Sequence, residues 1–146
     1  MKRERFEVLA PAGSMEILKA VLEAGADAVY VGGQRFGARA YANNFSDEEL
    51  LAAIDYVHLH EKKLYLTVNT LMKNRELPEL IQYLKPFYQQ GLDAVIVQDM
   101  GALKAIHRAY PRLSRRESFG DTMHPTICFP RFLASGSRRI LTQGTI

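Results

Sequence analysis

Seven side chains have the type and position to meet a ligand: Glu7, Arg35, Arg39, Asn43, Asn69, Gln98 and Asp99. Arg35 and Arg39 share a run, residues 32–45, with three glycines, Phe36, Tyr41, Asn43 and Asn44. Such a run can bring backbone amides and guanidinium forks to an anion while an aromatic ring stacks on a planar group. Its plainer reading is a structured loop whose arginines pair with nearby acids. It is neither a Walker nor a dinucleotide motif, so no cofactor follows from it. Asn69 and the pair Gln98-Asp99 each end a short apolar run. In parallel α/β architectures that position faces ligands, though helix capping would use the same residue types. Glu7 lies inside the first apolar run, as either a barrel-interior carboxylate or an edge residue facing water.

Other constellations carry less. His58 and His60 are two apart on a predicted helix, so they face different directions and do not share a metal. His124 and Cys128 have a helical ligand spacing but lie among Pro125 and Pro130. Gly13-Ser14 lacks the Gly-x-Ser-x-Gly elbow of a serine hydrolase. No metal set, acid–base pair or triad assembles from spacing alone, so the catalytic residues stay unassigned.

The elements that must position these groups are marked by a repeat. Gly25-Ala26-Asp27-Ala28-Val29-Tyr30-Val31 returns 66 residues later (91 − 25) as Gly91-Leu92-Asp93-Ala94-Val95-Ile96-Val97. Each copy ends an amphipathic helix with Gly, turns on Asp, and enters an apolar run of the kind buried on both faces of a parallel sheet. Strands are predicted at 6–11, 28–31, 64–69 and 94–98. Helices are predicted at 14–24, at 46–61 behind a Ser46/Glu49 capping box, at 77–90, and at 101–110. Lys62-Lys63 closes the second helix, where its dipole favours cations. Pro86 should kink or break the third, since an interior proline costs about 3 kcal/mol. Four βα units in succession argue a parallel α/β sheet.

Residues 111–146 read differently. They have neither period, and all six of their basic residues are Arg, against two acids; residues 1–110 hold 13 basic and 14 acidic residues. The chain therefore divides into a (β/α) domain over 1–110 and an aperiodic Arg-rich tail over 111–146. The overall net charge of +3 reflects that tail and names no nucleic-acid partner by itself. One cysteine excludes an internal disulfide and suits a reducing cytoplasm. No apolar run approaches the roughly 20 residues of a membrane span, and the N-terminus does not read as a signal peptide.

Residues 9–14 (Leu-Ala-Pro-Ala-Gly-Ser), 25–33, Phe36-Gly37-Ala38-Arg39, Asn43-Asn44-Phe45, 65–70 and 92–99 together resemble the start of peptidase family U32. The resemblance spans residues 6–110. It implies the N-terminal half of a TIM-type barrel, with a cysteine-rich region further along in intact relatives. It also implies collagenase-like peptidase activity in some members. In others it implies oxygen-independent hydroxylation of a tRNA wobble uridine with prephenate, of a 23S rRNA cytidine, or of ubiquinone precursors. The hydroxylases are expected to use an iron–sulfur cluster; with one cysteine, this chain is expected to hold no cofactor. An RNA substrate is the partner implied for an intact form. After Pro111 the sequence departs from the family's fifth strand and His-x-Ser-Thr-Gln-type segment, with Met123-His124-Pro125-Thr126 in their place. A frameshift near Pro111 would explain the tail. Three readings follow: an RNA-hydroxylase lineage, a collagenase-like protease, or an inactive truncated fragment or small half-barrel binding module. A half-barrel should self-associate through the open edges of its first and fourth strands.

Overall fold

A computed structural model describes residues 7–37, 43–117 and 140–142. Strands β1 (Glu7–Pro11), β2 (Ala28–Gly32), β3 (Lys63–Val68) and β4 (Ala94–Val97) alternate with helices α1 (Met15–Glu23), α2 (Asp47–Leu59), α3 (Leu77–Gln90) and α4 (Met100–Ala109). Two short strands, β5 (Ser114–Glu117) and β6 (Ile140–Thr142), complete one sheet in the order β5-β4-β3-β2-β1-β6, with every pairing parallel. The strands are unbroken apolar runs whose residues are buried on both faces. On one face Val29, Val31, Leu64, Leu66, Val68, Val95 and Val97 meet Leu18, Leu22, Leu50, Ile54, Leu84, Phe87 and Ile106 of the helices. On the other, Leu9, Ala28, Tyr65, Ala94 and Ile96 form a second, smaller cluster.

The repeat is a joint between neighbouring strands. Gly25 and Gly91 lie just past α1 and α3 with φ of 103° and 100°. Their amides donate to Leu22 O and Tyr88 O, while those of Ala26 and Leu92 donate to Val21 O and Phe87 O. That pair of bonds is the Schellman cap, which a left-handed residue allows. Helix α2 ends in the same way on Glu61, at φ 55°, with Glu61 N–H to His58 O and Lys62 N–H to Val57 O. Two residues after the glycine of each repeat an Asp precedes its strand. Asp27 Oδ2 accepts the Val8 amide at 2.9 Å, and Asp93 Oδ2 accepts the Leu64 amide at 2.9 Å. In register these are equivalent positions, since Leu9 pairs with Ala28 and Tyr65 with Ala94. Asp93 also holds His58 Nε2 at 2.8 Å.

Several expectations are corrected. A strand follows Tyr110 after all: Ser114–Glu117 pairs with β4 over four residues. Its sequence, Ser-Arg-Arg-Glu, has no apolar alternation, so only backbone pairing reveals it. The outer edges of β1 and β4 are consequently occupied by β6 and β5, which are the outermost strands of the sheet. Helix α3 runs unbroken through Pro86, because Leu80, Tyr83, Leu84 and Phe87 anchor it to the core on both sides of the proline. Lys63 opens β3 rather than closing α2. The Ser46/Glu49 capping box forms as expected.

Urea unfolding midpoints test the joint. Gly25→Ala should lose about 1 kcal/mol from its left-handed backbone alone, for nothing lies within 4 Å of the added Cβ. Glu61→Gly should lose none, since it relieves the same strain. Asp93→Ala, which strands the amide of fully buried Leu64, should cost about 1–3 kcal/mol. Asp27→Ala should cost less, because Val8 is partly exposed. Equal midpoints for the two Asp variants would refute the ranking.

Candidate functional site

The loops after β1, β2, β3 and β4 gather at one end of the sheet. Between the first two lies a cavity of about 570 Å³ lined by Gly13, Ser14, Met15, Gln34, Asn43, Asn44, Phe45 and Glu49. Helices α1 and α2 begin at its rim. Ser14 caps α1, its Oγ accepting the Ile17 amide at 3.3 Å, and Glu49 Oε2 accepts the Ser46 amide at 2.8 Å. The first turns carry Glu16 in α1 and Asp47, Glu48 and Glu49 in α2. These carboxylates offset the positive ends of both helix dipoles. The cavity is therefore lined by amides and a hydroxyl, beside acids.

The expected site residues separate. Asn43 lines the cavity. Asn69 and Gln98 stand side by side at the strand ends, one residue beyond the Val68–Val97 pair, Asn69 half-buried and Gln98 exposed. Asp99 caps α4: its Oδ1 accepts the Ala102 amide at 2.8 Å and its Oδ2 the Met72 amide at 3.2 Å. The Ala102 amide foremost, helped by those of Met72 and Gly101 against partial burial, holds this carboxyl below its ordinary value. Arg35 turns to α3, pairing with Glu79 at 3.2 Å, and its guanidinium stacks over Phe36 and Tyr83. Arg39 lies outside the described residues, as do Tyr41, His124 and Cys128. Glu7 is at the opposite end of the sheet, roughly 13 Å down β1 from Pro11. There it is buried on the inner face, with Lys63 Nζ at 3.1 Å and the Tyr65 hydroxyl donating to its other oxygen. Ala28, fully buried in β2 between β1 and β3, is small enough to let Glu7 reach across.

Ser14, Gln34, Asn44 and Glu49 complete the cavity without having been singled out as site residues. Gln34 and Asn44 stand in the 32–45 run, Ser14 directly follows Gly13, and Glu49 was legible only as the partner of Ser46 in the capping box. Two glycines let side chains pack closely at this end. A Cβ on Gly32 would lie 3.1 Å from Asn44 Oδ1 and 3.5 Å from Thr67 Oγ1; one on Gly33 would collide with the Tyr83 hydroxyl. That hydroxyl is buried without a hydrogen bond of good geometry. Burial foremost, then the Asp47 charge, push its pKa up to about 12, against smaller opposing effects of the Arg35 charge and the nearby Arg35 amide. The Phe36 backbone has φ 60°, and its carbonyl accepts the Thr70 hydroxyl at 3.1 Å. The β2–α2 loop is thus fixed against α3 and the β3 loop.

Among the described residues, no group of three or more His, Cys, Asp or Glu could hold a metal ion. An iron–sulfur cluster takes about four thiolates; the single cysteine of this chain does not fit one. Among the described residues, no helix is long and apolar enough to cross a membrane.

Asp99 gives the site a measurable acid limb. A carboxyl whose folded pKa is depressed stabilises the fold fully above its unfolded value, here ordinarily 3.8. That stability disappears as pH falls through the lower folded value. Asp99→Ala should cost about 1–2 kcal/mol at neutral pH, with the deficit shrinking on acidification. A deficit unchanged down to acid unfolding would refute the capping role.

A family model, peptidase family U32, matches residues 13–126, extending beyond Tyr110 where sequence patterning fades. The chain is 36% identical over 107 residues to tRNA hydroxylation protein P1 of Bacillus subtilis, covering 73% of this chain and 25% of that protein. It is 40% identical over 100 residues to the 23S rRNA 5-hydroxycytidine C2501 synthase of Escherichia coli, covering 68% and 15%. It is also 35% identical over 99 residues to a collagenase of Porphyromonas gingivalis, covering 67% and 24%. The chain thus spans a quarter or less of the length of these relatives. Among solved structures, tryptophan synthase from M. tuberculosis, a TIM barrel, superposes with a TM-score of 0.54 at 17% identity. The superposition covers 80% of this chain and 55% of that one, so the strands and helices are barrel units. With a family match over more than half of its length, the chain belongs to peptidase family U32.

Proposed function

We propose that this chain forms the first βα units of the barrel of an RNA-hydroxylating U32 protein, acting in the cytoplasm. The carrying observation is its 36% and 40% identity to relatives named for hydroxylation of tRNA and 23S rRNA. The site supports that reading through its chemistry. Gln34, Asn43, Asn44, Asn69 and Gln98 crowd the C-terminal ends of β1–β4 with paired amide donors and acceptors. Asn and Gln in such sites hydrogen-bond the edges of nucleobases. Lys73 and Arg75, exposed on the loop after β3, offer phosphate contacts on the same side. In this reading the residues of this chain bind and orient RNA, and none of them supplies the redox chemistry.

The collagenase reading rests on the Porphyromonas relative. It predicts chelator-sensitive gelatin cleavage by an intact form. The half-barrel reading carries self-association through β5 and β6, the outermost strands. Sedimentation velocity should then show a dimer or larger species, and a single monomer boundary across concentrations would refute it.

The function itself is tested by replacing the matching segment of the Bacillus relative with residues 13–126 of this chain. In cells lacking that relative, the chimera should restore the hydroxylated nucleoside seen by mass spectrometry of digested tRNA. A chimera that accumulates and folds yet yields no hydroxylated nucleoside would overturn the assignment.

A further inference from the structure

The cavity between α1 and α2 separates two parts of a nucleotide by charge. At about 570 Å³ it has the size of a small-molecule site. Among the described residues that line it, none is Lys, Arg or His. Its charged side chain is Glu49, and the first turns bordering it add Glu16, Asp47 and Glu48. A helix N-terminus ordinarily attracts phosphate, but here acids occupy both first turns, and a dianion would meet like charge. Ser14 and Glu49 are held as cap partners, whereas the Gln34 and Asn43 side chains belong to exposed residues. Half-buried Met15 and the edge of the core residue Phe45 supply the apolar part of the lining.

Resting on the RNA reading above, we propose that this cavity takes the uncharged base of an RNA nucleotide turned out of its strand. Gln34 and Asn43 read its polar edge, and the phosphates stay outside the cavity, toward Lys73 and Arg75. Unstacking opposes turning a base out, least in a single-stranded loop, so a loop nucleotide is the natural occupant. Glu49 acts by exclusion: it leaves a neutral ring unaffected and disfavours a phosphate in the same space.

Titration of this chain with cytidine, uridine and their 5′-monophosphates, followed by amide NMR, tests the assignment. The nucleosides should shift the amides of residues 13–15 and 43–49 and bind at least as tightly as the monophosphates, with little dependence on salt. Gln34→Ala and Asn43→Ala should each weaken nucleoside binding by about fivefold, the loss of one neutral hydrogen bond. Glu49→Gln, which preserves the capping box, should strengthen monophosphate binding and leave nucleoside binding unchanged. Monophosphates binding several-fold tighter to the native chain, shifts confined to other residues, or indifference to both amide variants would overturn the proposal. In the chimera described above the two readings separate. Full hydroxylation with Gln34→Ala and Asn43→Ala in place would sink the cavity assignment alone. Nucleoside binding by this chain beside a folded, inactive chimera would sink the RNA-hydroxylation reading alone.

Discussion

The carboxylates of Asp27 and Asp93 are the contacts on which the arrangement of this sheet depends. A parallel sheet begins each strand from a helix on its outer face, so the first amide of the neighbouring strand would otherwise lack an acceptor there. In both copies a Schellman cap turns the chain, and the Asp two residues past the glycine supplies that acceptor. The two joints differ in strength for a plain reason. Leu64 is wholly buried and Val8 is partly exposed, and an amide reached by water loses less when its partner goes. The third joint, at Glu61, is closed by a non-glycine residue in the left-handed region. Its strain is sustained because Val57 on one side and Leu64 on the other are fixed in the core.

The buried polar contacts and the cavity occupy opposite ends of the same strands. At the N-terminal end lie the Asp joints, the His58–Asp93 contact, and the Glu7–Lys63–Tyr65 group on the inner face. A carboxylate as deeply buried as Glu7 persists only when paired and hydrogen-bonded, and Lys63 and Tyr65 meet that need. At the C-terminal end the polar groups instead ring a cavity, and the strands deliver Asn69 and Gln98 to its side of the sheet. This division is the one found in (β/α) barrels, where loops after the strands carry the site.

Electrostatics then decides what the loops can hold. Arg35 had the right chemistry for an anion, but Glu79, Phe36 and Tyr83 engage it on the α3 side. Acids in the first turns of α1 and α2 offset the positive ends of both helix dipoles beside the cavity. Among the described residues that line it, the other polar side chains are the Ser14 hydroxyl and the amides of Gln34, Asn43 and Asn44.

Sequence alone determined the βα alternation, the glycine-ended helices, the Ser46 cap and the family, because each rests on local spacing or on an ordered string of motifs. It also located the loops that follow the strands, two of which line the cavity, since strand ends are legible wherever an apolar run stops. What only the tertiary structure decided were partnerships between distant residues. The bonds of Asp99 to Ala102 and Met72 make it a cap, and the reach of Glu7 across Ala28 puts it in an inner-face ion pair. The strand at Ser114–Glu117 was invisible to patterning because its place is fixed by backbone bonds to β4, which carry no side-chain signature. The cavity was hidden for the same kind of reason. Gly13 and Glu49 are 36 residues apart (49 − 13), and only the parallel pairing of β1 with β2 sets their loops face to face.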